Sequence, residues 1–313
     1  AVHGAEVLGF RNGWGGVMDG DVRELTKESV QGILHRGGTI LGSSGADPYH
    51  EGGTAKVRRT FADLALDGLI AIGGEGTLGA AAHMTEEGLP VVGVPKTIDN
   101  DLSGTDACIG FGTAVQIATD AIDRLHSTAE SHHRVMLVEV MGRSAGWIAV
   151  SAGLAGGADL ILIPERPFDL SDVCVHLRRR HLRGHLFSIV VVAEGAQPVE
   201  GSMERPEYPV DARGFPRFGG IANLIAPEIE RRTGHETRAT VLGHVQRGGS
   251  PVAEDRILAT RFGTAAIDLA QRGAWGVMVA LRGAEIVEVP LAYAAKVRPV
   301  PDELYQVAEV FFD

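Results

Sequence analysis

The sequence predicts an α/β fold of mainly parallel, doubly wound sheets, and three observations carry that prediction. Short apolar runs at residues 69–72, 89–94, 135–140 and 187–193 have the length and continuity of strands buried on both faces. Segments of helical periodicity separate them, and such crossovers let each new strand run in the same direction as the last. The composition agrees, because 44% hydrophobic residues, 42 glycines and only 5% aromatics suit a protein with many tight strand-to-helix turns.

At 313 residues the chain is long enough for one large or two ordinary domains. A formal net charge of -11 opposes nonspecific attraction to nucleic acid or to an anionic membrane surface, so neither is expected as a partner. Cys108 and Cys174 have neither CxxC spacing nor a disulfide framework, which points to a reducing cytoplasm. The opening Ala1-Val2-His3-Gly4 lacks a signal-peptide pattern, and no apolar run approaches the roughly 20 residues of a spanning helix.

Taken in order, residues 6–10 read as a strand and residues 11–16 as the turn that ends it. Residues 38–44 read as a short strand and turn, and residues 55–65 as a helix leading to the strand at 69–72. Gly73-Gly74-Glu75-Gly76-Thr77 follows that strand and opens a helix over 78–84, where glycines let backbone N–H groups approach phosphate at the positive helix end. After the strand at 89–94 comes Pro95-Lys96-Thr97-Ile98-Asp99-Asn100-Asp101. Asp99 and Asp101, beside Thr97, have the chemistry to take a proton from a hydroxyl and to meet a metal, and Lys96 to neutralise phosphate. A lone acidic turn is more often a helix cap; four reactive residue types at one strand end weigh toward a site.

An amphipathic helix over 113–125 leads through Ser131-His132-His133-Arg134 to the strand at 135–140, which delivers Met141-Gly142-Arg143. A packed helix at 147–154 and a buried strand at 160–163 follow. The run Arg178-Arg179-Arg180-His181, with Arg183, reads as a solvated helix end, with an effector phosphate as its only functional alternative. Glu194 ends the strand at 187–193. Residues 197–220 read as an irregular, proline-rich insertion, 221–232 and 255–271 as helices, and 276–280 and 285–289 as strands. The His244 to Arg247 segment reads as a strand end. The tail, 301–313, is expected to dock through Val310-Phe311-Phe312.

Four motifs in this order, Gly73 to Thr77, Pro95 to Asp101, Met141-Gly142-Arg143, and Leu242-Gly243-His244-Val245-Gln246-Arg247-Gly248-Gly249-Ser250-Pro251, resemble the 6-phosphofructokinase family from about Val7 to the C-terminus. The resemblance implies two doubly wound lobes with the chain crossing between them more than once. It puts residues 1–110 plus 247–296 in a donor lobe, and 111–246 plus 297–313 in a sugar-phosphate lobe. It implies phosphoryl transfer from ATP, with Mg²⁺, to the 1-hydroxyl of fructose 6-phosphate, in an allosteric, cytoplasmic glycolytic enzyme. Asp99 would be the base, supported by Thr97 and Asp101. Gly74, Glu75, Gly76, Thr77 and Lys96 would hold the donor, with Glu75 on the metal. Thr97, Ile98, Asp99, Arg134, Met141, Gly142, Arg143, Glu194, Arg238, His244, Val245, Gln246 and Arg247 would bind the sugar phosphate, with Arg134 and Arg238 from a neighbouring subunit of a homodimer or homotetramer.

Two departures set the alternatives. The family's first strand and glycine turn are missing upstream of Val7 and Ala1 replaces an initiator Met, so a truncated, processed or late-started chain is expected. Gly45 stands where relatives commonly place an Arg that spans the transferring phosphate. A sugar-phosphate-binding paralogue of impaired activity is therefore one alternative. The other is a pyrophosphate-dependent enzyme. Such relatives usually carry Asp at the Gly76 position and Lys at the Lys96 position; this chain has the Gly, which leaves room for a nucleotide's α-phosphate, and the Lys.

Overall fold

A computed structural model of the chain describes residues 4–50, 52–204, 208–210 and 218–312. In chain order the elements are β1 (Leu8–Phe10), α1 (Gly13–Asp19), β2 (Val22–Glu24), α2 (Gly53–Asp63), β3 (Leu69–Gly73), α3 (Glu75–Glu86), β4 (Val91–Pro95) and α4 (Phe111–His132). They continue with β5 (Val135–Val140), α5 (Trp147–Ala155), β6 (Leu160–Leu162), α6 (Leu170–Leu182), β7 (Ser188–Ala193), α7 (Ile221–Thr233) and β8 (Thr237–Val241). The last are α8 (Ala253–Gln271), β9 (Val277–Arg282), β10 (Glu285–Pro290) and α9 (Asp302–Glu309).

The chain divides into two compact units. One comprises 1–97, 102–110 and 249–297; the other comprises 98–101, 111–248 and 298–313. The first holds a four-stranded sheet in the order β10-β9-β4-β3, parallel except for β10, and a small antiparallel pair of β1 with β2. The second holds an all-parallel sheet in the order β6-β7-β5-β8.

Every residue of β5 and β7 is buried, as a sheet covered on both faces requires. Side-chain alternation divides them cleanly. Met136, Val138 and Val140 join Ile189, Val191 and Ala193 under α4, α5 and α9. Val135, Leu137, Val190 and Val192 face α6 and α7. The sheet of the first unit is likewise packed on two sides, with Leu78 and Met84 of α3 on one face and Leu258 and Phe262 of α8 on the other.

Several expectations are corrected. Residues 13–16, read as part of a turn, instead open α1, because buried Trp14 and Val17 give a glycine-rich stretch one apolar face to pack. Residues 38–44 form no strand; Gly42 takes a positive φ of 74°, and the Leu41 carbonyl accepts from the Asn12 N–H at 2.8 Å instead of from a ladder. Residues 243–247 form a 3₁₀ turn, not a strand end. Of Val310, Phe311 and Phe312, only Phe312 packs, edge-on to Tyr305 at 6.1 Å, whereas Val310 and Phe311 are 76% and 62% exposed; the tail docks mainly through Tyr305 and Ala308 of α9. The proline-rich stretch contains residues 205–207 and 211–217, which lie outside the described residues.

Candidate active site

In the first unit, β3 ends at Gly73, and Gly74 leads the chain into α3 with extended torsions. No side chain caps that helix, so its first-turn N–H groups remain available to an anion. The glycines differ in their reasons. A Cβ on Gly73 would collide with Thr77, so Gly73 is needed for packing, while a Cβ on Gly76 would meet nothing within 4 Å. Glu75 and Gly76 are exposed, and the Thr77 carbonyl accepts from Trp14 Nε1 at 3.2 Å, which ties the turn to α1. Neighbouring β4 brings exposed Lys96 and half-buried Thr97 to its C-terminal end, where the Lys96 N–H donates to the Gly73 carbonyl at 2.8 Å. Gly45 is exposed beside Ser44, whose hydroxyl donates to the Asn12 carbonyl at 2.6 Å. Among the described residues no three His, Cys, Asp or Glu side chains group as a metal cage. Magnesium held with a nucleotide takes most of its ligands from water and phosphate, so a single exposed carboxylate such as Glu75 fits that role.

In the second unit, the carboxyl ends of β5, β7 and β8 converge with the turn Ile98–Asp101. The Glu194 N–H donates to the Val140 carbonyl at 2.8 Å and the Gly195 N–H to the Gly142 carbonyl at 3.1 Å. This prolonged pairing sets Glu194 beside Met141-Gly142-Arg143. Gly142 has φ 137°, and a Cβ there would sit 2.8 Å from the Ala145 carbonyl, so only glycine fits the bend. Ile98 packs on the core cluster that contains Val140 and Met141.

Three carboxylates, Asp99, Glu194 and Glu139, share this end of the sheet with Arg143 and Arg247. Burial pushes the Asp99 carboxyl up from its ordinary value, against the opposing pull of Arg247 and Arg143. Burial also pushes Glu194 up to about 7, reinforced by the charges of Asp99 and Glu139 and countered by Arg247 and Arg143. Arg143, His244, Val245 and Arg247 are exposed.

Gln246 does different work from a substrate contact. It is 1% exposed and its amide is spent on protein, accepting from the Met141 N–H at 3.3 Å and donating to the Gly243 carbonyl at 3.1 Å. It fixes the 3₁₀ turn to the end of β5.

Arg134 and Arg238 are not brought to this cluster. Arg134 precedes β5 and Arg238 is the second residue of β8, at the opposite end of a sheet whose strands all run one way. About 20 Å of strand separates them from Arg143 at the usual rise per residue. Both pair with Glu236, Arg134 at 2.8 Å and Arg238 at 2.6 Å, and Arg238 also with Glu230 at 3.2 Å. Arg238, with Asn223, Ala226, Pro227, Glu230 and Arg231 among others, also lines a cavity of about 430 Å³.

Sequence reasoning missed Glu139, Tyr208, Trp147 and Arg298. Glu139 was legible as a lone charge in a buried strand. It accepts from the N–H groups of Gly220 and Ala222 at 2.6 and 2.8 Å, at the start of α7. The Tyr208 hydroxyl is buried, with no partner among the described residues, and burial together with Glu139 and Glu194 pushes it up to about 12. The run Arg178–Arg180 is mostly structural: Arg180 is buried in an ion pair with Asp159 at 2.5 Å, and Arg178 donates to the Arg232 carbonyl.

A glycine-led, uncapped helix start in one doubly wound unit and a buried carboxylate among arginines in the other define a phosphotransferase of the α/β class. The model of the family described as phosphofructokinase matches residues 1–270, and the chain belongs to that family. It is 57% identical to the pyrophosphate--fructose 6-phosphate 1-phosphotransferase of Amycolatopsis mediterranei, over 99% of this chain and 92% of that protein. It is 52% identical to ATP-dependent 6-phosphofructokinase 3 of Streptomyces coelicolor, over 98% and 91% respectively. Among solved structures, the T-state phosphofructokinase of Pichia pastoris superposes with TM-score 0.80 at 31% identity, covering 99% of this chain and 33% of that much longer one. The pyrophosphate-dependent phosphofructokinase of Marinobacter aquaeolei gives TM-score 0.81 at 25% identity, over 96% and 78%.

Proposed function

We propose that the protein transfers the terminal phosphoryl group of ATP to the 1-hydroxyl of fructose 6-phosphate, giving ADP and fructose 1,6-bisphosphate in cytoplasmic glycolysis. The observation that carries this reading is Asp99, a carboxylate withdrawn from water at a strand end and flanked by Arg143 and Arg247. Asp99 takes the hydroxyl proton as the new P–O bond forms, and burial raises its proton affinity toward what a general base needs. Asp101 and Thr97 support the geometry of base and acceptor. Arg143, His244 and Arg247 meet substrate phosphate, and Glu194 with Met141 and Gly142 orients the sugar. The first turn of α3 cradles the donor phosphates through Gly74, Gly76 and Thr77, with Lys96 as a compensating cation. Glu75 would hold Mg²⁺, which neutralises charge on the donor phosphates.

The open space at Gly76 supports ATP. A specific observation favours a second reading, in which pyrophosphate is the donor: relatives 54% and 57% identical carry that name. One coupled assay with fructose 6-phosphate, comparing ATP with pyrophosphate, decides between them. Turnover with ATP supports the first reading, turnover with pyrophosphate alone replaces it with the second, and turnover with neither overturns both.

The acceptor site is shared between subunits of a homo-oligomer. Arg134 and Arg238 stand too far from Arg143 along parallel strands to reach the same phosphate, and β8, on which Arg238 lies, is an edge strand. They serve the 6-phosphate bound by a neighbouring copy.

A further inference from the structure

The turn that carries Asp99 is held by a residue nearly two hundred positions away. Asn100 is 1% exposed and takes the left-handed conformation, φ 53°, which asparagine tolerates better than most non-glycine residues. Its carbonyl oxygen accepts twice from the Arg298 guanidinium, from Nε at 3.3 Å and from Nη2 at 3.1 Å. The Arg298 backbone N–H donates to the Asp101 carbonyl at 2.7 Å. The peptide oxygens of both residues that follow Asp99 are thus fixed by one side chain and its own backbone.

Arg298 is fixed in turn. Its guanidinium lies over the indole of Trp147, 4.1 Å from the ring centroid, and the Trp147 Nε1–H donates back to the Arg298 carbonyl at 2.9 Å. Trp147 begins α5, is 8% exposed, and meets Phe111 at the head of α4 edge-on at 6.4 Å. The geometry points to Arg298, seated on Trp147, as a positioning residue that holds the Asp99 carboxylate in line for proton transfer. This inference rests on the reading of Asp99 as the base. Arg298 bonds the backbone of the turn, and Arg247 and Arg143 are among the cations that act on the Asp99 carboxylate. A lysine at 298 would retain the charge but lose the two-pronged donation and the flat stacking surface.

The test uses the full chain with Arg298→Met, which keeps an apolar stem over the indole and removes the donors. Expected is a fall in kcat of about 10- to 100-fold, the scale of a misplacement near 1 Å, with KM for fructose 6-phosphate changed less than about threefold. The acid limb of the kcat profile should move toward the ordinary carboxylate range as the loosened turn hydrates Asp99. Arg298→Lys should not restore kcat, whereas low-millimolar guanidinium should restore part of it to Arg298→Ala. If Arg298→Met fails to fold, Trp147→Phe, which keeps a ring but loses the N–H, should show the same acid-limb shift with a smaller kcat loss. An unchanged kcat in folded Arg298→Met overturns the inference, as does a fall in kcat, KM and melting temperature together with an unmoved acid limb. Asp99→Asn is measured alongside. If it retains turnover, the base assignment fails; if it loses turnover while Arg298→Met retains it, only the role of Arg298 fails.

Discussion

Glu194 has a carboxyl whose ionisation the fold brings close to neutral pH. Its carboxyl rises from an ordinary value of 4.5 to about 7, first because it is buried and then because Asp99 and Glu139 are near. The native fold therefore binds this proton more tightly than the unfolded chain does. The stability it contributes is fully present below about 4.5, declines as pH rises, and is gone above about 7. Glu194→Gln should remove that slope and raise stability at pH 8 by at most about 3 kcal/mol in urea denaturation. An ionised carboxylate accepts sugar hydroxyls more strongly, so KM for fructose 6-phosphate should fall as pH rises through 7, and the step should vanish in Glu194→Gln. For Asp99, Asn keeps the shape and removes the proton acceptor; turnover should drop about 10²- to 10⁴-fold in single-turnover assays while sugar-phosphate binding, read by calorimetry, persists. Gly76→Asp, entering open space, should spare the fold and damage ATP use far more than pyrophosphate use; equal losses with both donors would show that the donor turn has been misread. The strand-end positions of Asp99 and Gly76 were legible because reactive types and glycines cluster there in the sequence. Arg298 and Trp147 were not, because a stacking contact across 151 positions leaves no local pattern.

Elements buried on both sides were readable almost to the residue, since β5 and β7 consist of apolar runs whose length is that of the strand. Failures fell where local pattern and tertiary demand diverge. Three glycines at 13, 15 and 16 argue for a turn, yet packing of Trp14 and Val17 makes them helix. β2 was not foreseen at all, for three residues with a single apolar side chain carry no period, and only pairing with β1 defines it. At this scale Glu139 links strand to helix: it lies within β5 and fills the role of the missing side-chain cap on α7. Glu139→Gln should cost about 1.5–3 kcal/mol of stability as a lost pair of charge-assisted bonds. Removing that charge should also lower the Glu194 pKa, so the pH step in KM should move to lower pH. Stability loss without movement of the step would mean that the two carboxylates do not sense each other.

For the whole molecule, the separation of Arg134 and Arg238 from Arg143 makes a prediction about assembly. Asp99→Asn and Arg134→Ala should each be inactive alone, and a mixture dissociated and reassociated should regain partial activity, because some interfaces pair an intact Asp99 with an intact Arg134. No recovery in any mixture would place each site within one chain. Which end of a parallel sheet holds a residue is set by strand direction, so the sequence held the information that these arginines part company, but only once pairing was known.

The backbone passes between the two units five times, at 97–98, 101–102, 110–111, 248–249 and 297–298. Neither unit is therefore a continuous stretch of gene, and recombination at a single breakpoint cannot trade one whole unit for another. A chain built this way alters one unit by substitution in place, and position 76, where a Cβ would meet nothing within 4 Å, is one that the fold leaves vacant.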